Sequence, residues 1–157
     1  MAHPTDEITY RLATTDDVDA LAQKRWQMET ERHPDIQADY AAYLAAARQA
    51  IRPEIERGAH IAFLAEVEGE VVACAILIWW TMLPSLTELH RRRAYVSSVY
   101  CDPAWRRRGI ARHLMEQLLA HAQEMGVQRL ILWPSEMGRP LYLDQGFEPS
   151  RALELNF

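Results

Sequence analysis

The chain has 157 residues, the length of one compact domain, and its composition of 49% hydrophobic and 25% charged residues excludes a disordered protein. Its net charge of −5 excludes a nucleic-acid-binding protein that is basic throughout. Two cysteines are too few for a disulfide framework, and the six histidines lack metal-site spacing. The N-terminus has no signal-peptide pattern, and the longest apolar run, residues 71–80, is too short for a membrane span. We therefore expect a single cytoplasmic domain over residues 1–157, with no metal.

Hydrophobic periodicity predicts ten elements in the order β-α-α-β-β-β-α-β-α-β. The first three are a strand at 8–13, a helix from Thr14 or Thr15 to about Glu31, and a helix whose apolar face runs from Ile36 to Ile51 and which is interrupted at Pro53. Three strands follow, at 60–67, 71–81 and 95–101, the first two joined by a turn at 68–70. The last four are a helix from about Arg107 to Met125, a strand at 129–133, a short helix at 137–145 and a closing strand at 151–157. A hairpin run followed by a strand–helix–strand unit implies an α/β (α+β) fold. We expect a mixed, mostly antiparallel central sheet with helices on both faces.

Arginines cluster in one part of this acidic chain. Seven of them fall within 22 residues that contain a single acidic residue, Asp102; they are Arg91, Arg92, Arg93, Arg106, Arg107, Arg108 and Arg112. This distribution indicates a local anion site. Residues 99–112 run from a strand through a short loop into the best amphipathic helix, and the N-terminus of a helix offers free N–H groups to a phosphate.

Two motifs of the chain, one of them in this region, resemble those of a known family. The run Arg106-x-x-Gly109-x-Ala111, after the strand that ends in Cys101, is similar to motif A (Q/R-x-x-G-x-G/A) of the GCN5-related N-acetyltransferases, the GNAT family. Residues 141–147 read L-Y-L-D-Q-G-F and resemble the end of motif B, L-Y-x-x-x-G-F. The order and spacing of the motifs, the two N-terminal helices and the predicted closing strand extend the resemblance over nearly the whole chain.

The resemblance implies an enzyme that transfers an acetyl group directly from acetyl-CoA to a primary amine, which we expect to belong to a small molecule. Acetylation of a protein N-terminus or lysine is an alternative within the same class. A non-catalytic acyl-CoA sensor is an alternative outside it. The identity of the amine, the length of the acyl group and a possible homodimer stay open. We expect neither a nucleic acid nor a membrane as partner.

The resemblance also implies site residues. Tyr142 matches the motif B tyrosine that protonates the departing thiolate of coenzyme A. The cofactor-binding residues are expected to be Val99 and Cys101 for the pantetheine arm, with Ser135 in place of a family asparagine, and Arg106, Arg107, Arg108, Gly109, Ile110, Ala111 and Arg112 for the pyrophosphate. In the family the strands that carry the two motifs splay apart around the cofactor, and an N–H group near Val99 would polarise the thioester carbonyl.

The general base and the acceptor pocket are not assigned by the sequence. The family often has a glutamate in the stretch that reads Y-V-S-S at 95–98 here, so the candidate bases are Glu29, Glu66, Glu88 and His90. Seven aromatic residues either line an acceptor pocket or pack in the core: Trp26, Tyr40, Tyr43, Trp79, Trp80, Tyr95 and Trp133. The triplet at 91–93 is predicted as a solvated turn or as additional charge for the coenzyme A phosphates.

Overall fold

The computed structural model describes residues 7–157 and contains one five-stranded sheet. Its strands are β1 (Thr9–Leu12), β2 (His60–Val67), β3 (Glu70–Met82), β4 (Arg91–Cys101) and β5 (Val127–Ile131), in that spatial order. The three successive pairings from β1 to β4 are antiparallel, and β5 is parallel to β4. The predicted mixed, mostly antiparallel sheet is confirmed.

Four α-helices accompany the sheet: α1 (Val18–Arg32), α2 (Tyr40–Glu56), α3 (Ile110–Glu124) and α4 (Arg139–Asp144). On one face, α3 buries Leu114, Met115 and Leu118 against the sheet completely. On the other face, α1 and α2 cover a second core that includes Leu21 and Leu64. Each face of the sheet therefore has its own apolar core, as the predicted helices on both faces require.

Two predictions about α2 are wrong. The helix begins at Tyr40 rather than near Ile36, because the Asp39 carboxylate accepts a hydrogen bond from the Ala41 N–H at 2.9 Å and caps the helix there. Ile36 lies before the helix and is 63% exposed. Pro53 does not interrupt α2 but lies inside it, one turn before its end at Glu56, where the ring removes only one backbone hydrogen bond.

The boundaries around the arginines also differ from the prediction. β4 begins at Arg91, so the triplet at 91–93 is strand and not a turn. The long helix α3 begins at Ile110 rather than at Arg107, because Arg107 and Gly109 have φ angles of +62° and +79°, which a right-handed helix excludes.

The predicted closing strand at 151–157 is wrong: this segment is irregular in the structure. Leu153, Leu155 and Phe157 alternate as a strand would, but all three side chains are exposed. A strand needs a neighbour for its backbone hydrogen bonds. Here a cavity of about 1000 Å³, lined by β5 on one side and by residues 145–151 on another, lies between the last part of the chain and the outer edge of β5.

Candidate active site

The central feature of the site is an opening between β4 and β5. β5 pairs with β4 only from Arg92 to Tyr95, and the last pair is Tyr95 with Ile131. β4 continues to Cys101 with β3 on one side and, in the described structure, no strand on the other. The backbone groups of residues 96–101 that point away from β3 are therefore available to an extended ligand, except the Cys101 carbonyl, which accepts a hydrogen bond from Arg106. The strands splay as the resemblance implied.

A β-bulge marks the middle of this opening. Ile76 pairs with Ser97 and Cys74 with Tyr100, so Ser98 and Val99 together stand opposite Ala75. Ser98 has a φ of +53°, a strained conformation for a residue other than glycine. The bulge turns both serine hydroxyls towards α1, where Arg25 Nη1 donates to Ser97 Oγ at 3.2 Å and to Ser98 Oγ at 2.9 Å. These hydrogen bonds help to hold the bulge.

The opening ends at a tight corner, residues 101–112, which we call the cofactor corner. A 3₁₀ turn, Pro103–Trp105, follows β4, and Gly109 in the left-handed conformation leads into α3. No side chain caps α3, and within residues 7–157 no group accepts a hydrogen bond from the amides of 109–112. Free amides and the positive end of the helix dipole make this corner suited to a phosphate group.

The arginine side chains of the cofactor corner are largely bound elsewhere. Arg106 donates to the Cys101 carbonyl at 2.8 Å and forms an ion pair with Glu31 of α1 at 2.7 Å. Arg108 stacks over the Trp105 ring at 4.5 Å, and Arg112 forms an ion pair with Asp144 at 2.9 Å. The backbone amides of the corner are therefore the main hydrogen-bond donors for an anion, and the arginines add a positive electrostatic field.

Two ion pairs that the sequence analysis missed attach α1 to the corner. Lys24, the only lysine of the chain, is 5% exposed, and its Nζ lies 2.7 and 2.8 Å from the Asp102 carboxylate oxygens. Glu31 accepts hydrogen bonds from Arg106 and, at 2.6 Å, from the Tyr100 hydroxyl. The sequence feature that could have revealed the buried Lys24 is its position on the apolar face of α1, three residues after Leu21 and four before Met28.

A cleft of about 80 Å³ lies beside the bulge, and we call it the acceptor cleft. Four parts of the chain line it: Arg25, Met28 and Arg32 from α1, Tyr95, Val96, Ser98 and Val99 from β4, Leu132, Trp133 and Ser135 from the segment after β5, and Tyr142 from α4. The rings of Tyr95 and Trp133 pack against each other with centroids 4.8 Å apart. The cleft therefore lies between Tyr142 and the bulge of β4.

Tyr142 is held from two sides. Its ring packs edge-on against Phe147 at 5.9 Å, and a Cβ added to Gly138 would come within 3.3 Å of it. Gly138 therefore makes room for the tyrosine, and its amide donates to Ser135 Oγ at 3.1 Å. Burial raises the pKa of Tyr142 above its ordinary value, against the opposing effect of the Arg32 charge. Tyr142 is therefore protonated at neutral pH and able to donate a proton.

The four candidate bases lie in different places. Glu66 is bound to Arg11 at 2.5 Å, and Glu88 to Arg93 at 2.7 Å, so neither lines the acceptor cleft. His90 lies beside Glu88 in the loop before β4. Glu29 is on the α1 face that lines the cleft, but it forms an ion pair with Arg25 at 3.1 Å. The described residues that line the cleft include no carboxylate.

The arginine triplet and most of the aromatic residues lie away from the cleft. Arg91–Arg93 are at the opposite end of β4 from Cys101, roughly 30 Å away at the usual rise per residue. Arg93 is buried against Glu88, and Arg92 lies over the Trp79 ring. The proposal that the triplet adds charge for the coenzyme A phosphates is therefore not supported. Trp26 packs with Tyr40 and Tyr43 between α1 and α2.

Two features are absent from residues 7–157. No three histidine, cysteine or acidic side chains in this range lie close enough together to hold a metal ion. None of its helices combines the length and the apolar character needed to cross a membrane.

Comparisons with known proteins agree with this geometry. Residues 18–147 match the sequence profile of the family described as "Acetyltransferase (GNAT) family". The chain therefore belongs to the GNAT acetyltransferases. A comparison with curated proteins found no significant match.

Solved structures share the fold over almost the whole chain. A predicted acetyltransferase from Clostridium acetobutylicum, solved with acetyl-CoA, has 24% identity and a TM-score of 0.85, with 96% of each chain covered. A GCN5-related N-acetyltransferase from Ralstonia eutropha JMP134 has 25% identity and a TM-score of 0.80, with 96% of this chain and 99% of that one covered. Glucosamine-6-phosphate N-acetyltransferase from Arabidopsis thaliana has 15% identity and a TM-score of 0.71, with coverages of 96% and 98%.

Proposed function

We propose that the protein is a single-domain N-acetyltransferase that moves the acetyl group of acetyl-CoA to the primary amine of a small molecule. The observation that carries the proposal is the opening between β4 and β5, which has free helix amides at one end and Tyr142 at the other. The Clostridium relative solved with acetyl-CoA supports the choice of donor. The small volume of the acceptor cleft favours a small amine over a peptide segment.

The cofactor would bind along the opening. Its pantetheine arm would pair with backbone groups of β4 between Val99 and Cys101, as an added strand does. Its pyrophosphate would accept hydrogen bonds from the amides of residues 107–112, with Arg107 and Arg108 adding charge. Ser135 lies in the cleft and offers its hydroxyl, although that oxygen already accepts a hydrogen bond from the Gly138 amide.

The transfer would be direct. The neutral amine attacks the thioester carbonyl carbon, and the backbone N–H of Val99 stabilises the oxygen that becomes negative. The C–S bond then breaks, the thiolate takes the proton of Tyr142, and the proton lost by the amine passes to water and returns to Tyr142. Burial, followed by the Asp102 charge, raises the pKa of Cys101 to about 11, so a thiolate able to carry the acetyl group is disfavoured.

Calorimetry with acetyl-CoA, followed by detection of free thiol with a panel of primary amines, tests this function. We expect Tyr142→Phe to lower kcat by about 10²-fold or more, the usual contribution of a general acid, with the Kd of acetyl-CoA unchanged. Tyr40→Phe, which removes a hydroxyl outside the cleft, is the matched control and should keep full activity. Binding of acetyl-CoA without turnover of any amine would favour a sensor, and unchanged turnover in Tyr142→Phe would remove this residue from the mechanism.

A further inference from the structure

The charges around the acceptor cleft are unbalanced. Two guanidinium groups from α1, those of Arg25 and Arg32, line the cleft, and they lie seven residues apart on one helix face. The described residues that line the cleft include no aspartate or glutamate. An acetyl acceptor that carries only an ammonium group would therefore meet like charge there.

The two arginines differ in how their charge is compensated. Arg25 forms an ion pair with Glu29 at 3.1 Å and donates to Ser97 and Ser98, so its position is fixed by neighbours. Arg32 is the last residue of α1, is exposed and lines the cleft. Among residues 7–157, no carboxylate lies within 4.0 Å of its guanidinium group. Arg32 therefore has its hydrogen-bond donors available to a ligand.

We propose that the acceptor is a primary amine that also carries a carboxylate or phosphate group, and that Arg32 binds this anionic group. The proposal rests on the acetyl-transfer function and names the class of its acceptor. A guanidinium group matches a carboxylate or a phosphate with two parallel hydrogen bonds and thereby fixes the orientation of the ligand. Because Arg32 and Tyr142 line the same small cleft, the amine and the anionic group are separated by only a few bonds.

Arg25 is already paired with Glu29, so Arg32 is the group that gives the cleft its positive field. The anionic group supplies the attraction that brings the substrate into a positively charged cleft. Arg32 thus acts as a specificity-determining residue and Arg25 as a residue that positions the bulge.

Matched pairs of amines test the proposal. Glycine and β-alanine are compared with glycinamide and β-alaninamide, and phosphoethanolamine is compared with ethanolamine, by thiol release in the presence of acetyl-CoA. We expect kcat/KM to be at least tenfold higher for the anionic member of one of these pairs. The pair that shows the difference identifies carboxylate or phosphate as the group. An amide makes the neighbouring amine less basic, so a larger share of the amide member is in the reactive neutral form. Intrinsic reactivity therefore favours the amide member and cannot produce a higher kcat/KM for the carboxylate member.

Variants then assign the preference to Arg32. In Arg32→Gln we expect the preference to fall at least tenfold, through a higher KM for the anionic amine, while kcat/KM for the neutral member does not fall. Arg52→Gln is the matched control, because Arg52 is an exposed arginine on α2 outside the cleft. Calorimetric binding of N-acetylglycine and N-acetylglycinamide to the complex with coenzyme A provides a readout that does not need turnover.

The outcomes separate this inference from the function on which it rests. Three outcomes overturn the inference and leave the proposed function standing. The neutral amines are used as well as the anionic ones or better, Arg32→Gln loses activity equally with both members of a pair, or neither the rates nor product binding shows a preference. Failure of the wild-type protein to bind acetyl-CoA overturns the proposed function as well.

Discussion

The cofactor corner and the acceptor cleft are neighbours that are built in opposite ways. The corner consists of twelve consecutive residues, 101–112, and presents mainly backbone amides. The cleft is assembled from α1, β4, the segment after β5 and α4, and it presents side chains. A site made of contiguous backbone leaves a local motif in the sequence, whereas a site made of distant side chains does not.

This difference predicts which substitutions matter in each region. In the corner, the backbone conformation decides whether the amides converge, so Gly109 matters more than the arginine side chains, three of which have partners within the protein. In the cleft, the proposed function rests on single side chains such as those of Arg32 and Tyr142. Substitutions in the corner should therefore act on cofactor affinity, and substitutions in the cleft on turnover or acceptor choice.

The sharpest test of this contrast is a charge placed on the corner. Gly109→Asp puts a carboxylate where a pyrophosphate is expected, and unit charges about 4 Å apart repel by roughly 4 kcal/mol near a protein surface. We expect the affinity for acetyl-CoA, measured by calorimetry, to fall by about 10²-fold or more. Both Asp and Asn tolerate the left-handed conformation of this position, where φ is +79°.

Gly109→Asn is therefore the matched control. It adds a side chain of the same shape without the charge, and it should lose much less affinity than Gly109→Asp. Equal losses in the two variants would mean that the corner is crowded rather than anion-binding. Unchanged affinity in both would show that the pyrophosphate does not lie there.

The sequence predicted well what depends on local pattern. The strands β2 and β3, the turn between them and the helix α3 from Ile110 onward follow from hydrophobic period and from glycine placement, and the motif around Arg106 led to the right family. The splayed strands were expected from the resemblance. None of these features requires knowledge of which distant residues meet.

The sequence could not predict the partners of individual charged side chains. Arg25 and Arg32 look like ordinary solvated helix residues until α1 is packed across β4, and the same holds for Lys24 with Asp102. The start of α2 depends on which of several polar residues caps it, and Asp39 does so rather than a residue near Ile36. The bulge at Ser98 is likewise visible only from the pairing of β3 with β4.

A medium effect is expected where the two regions are joined. Glu31 lies on α1, which lines the cleft, and it binds Arg106 of the corner and Tyr100 of β4. Burial acts to raise the pKa of Glu31, but the hydrogen bonds from Tyr100 and Arg106 outweigh it, so the pKa is lower than usual. Because this side chain is 41% exposed, we expect Glu31→Gln to cost only about 1 kcal/mol of unfolding free energy at pH 7.

The pH dependence of this cost follows from the lowered pKa. A carboxylate whose pKa is lower in the folded protein stabilises it fully above its unfolded pKa of about 4.3, and this contribution is lost as pH falls through the folded value. Urea unfolding at pH 7 and near pH 3 should show that the difference between wild type and Glu31→Gln shrinks at the lower pH. Glu116→Gln, on the exposed side of α3, is the control. A difference that is constant with pH would contradict the ionic role of Glu31.

The smallest effect is expected at the end of the described chain. Leu153 and Phe157 are fully exposed, and residues 151–157 make no strand pairing. Deleting these seven residues should therefore leave Tm within about 1 °C, since 1 kcal/mol corresponds to about 2–4 °C in a protein of this size. If the alternating pattern at 153, 155 and 157 instead forms a strand on the free edge of β5, deletion would lower Tm by several times that amount. Leu153→Asp in the full-length chain would then also lower Tm, whereas Glu154→Gln would not. Neighbouring residues of a strand face opposite sides of the sheet, so only one of these two side chains would be packed.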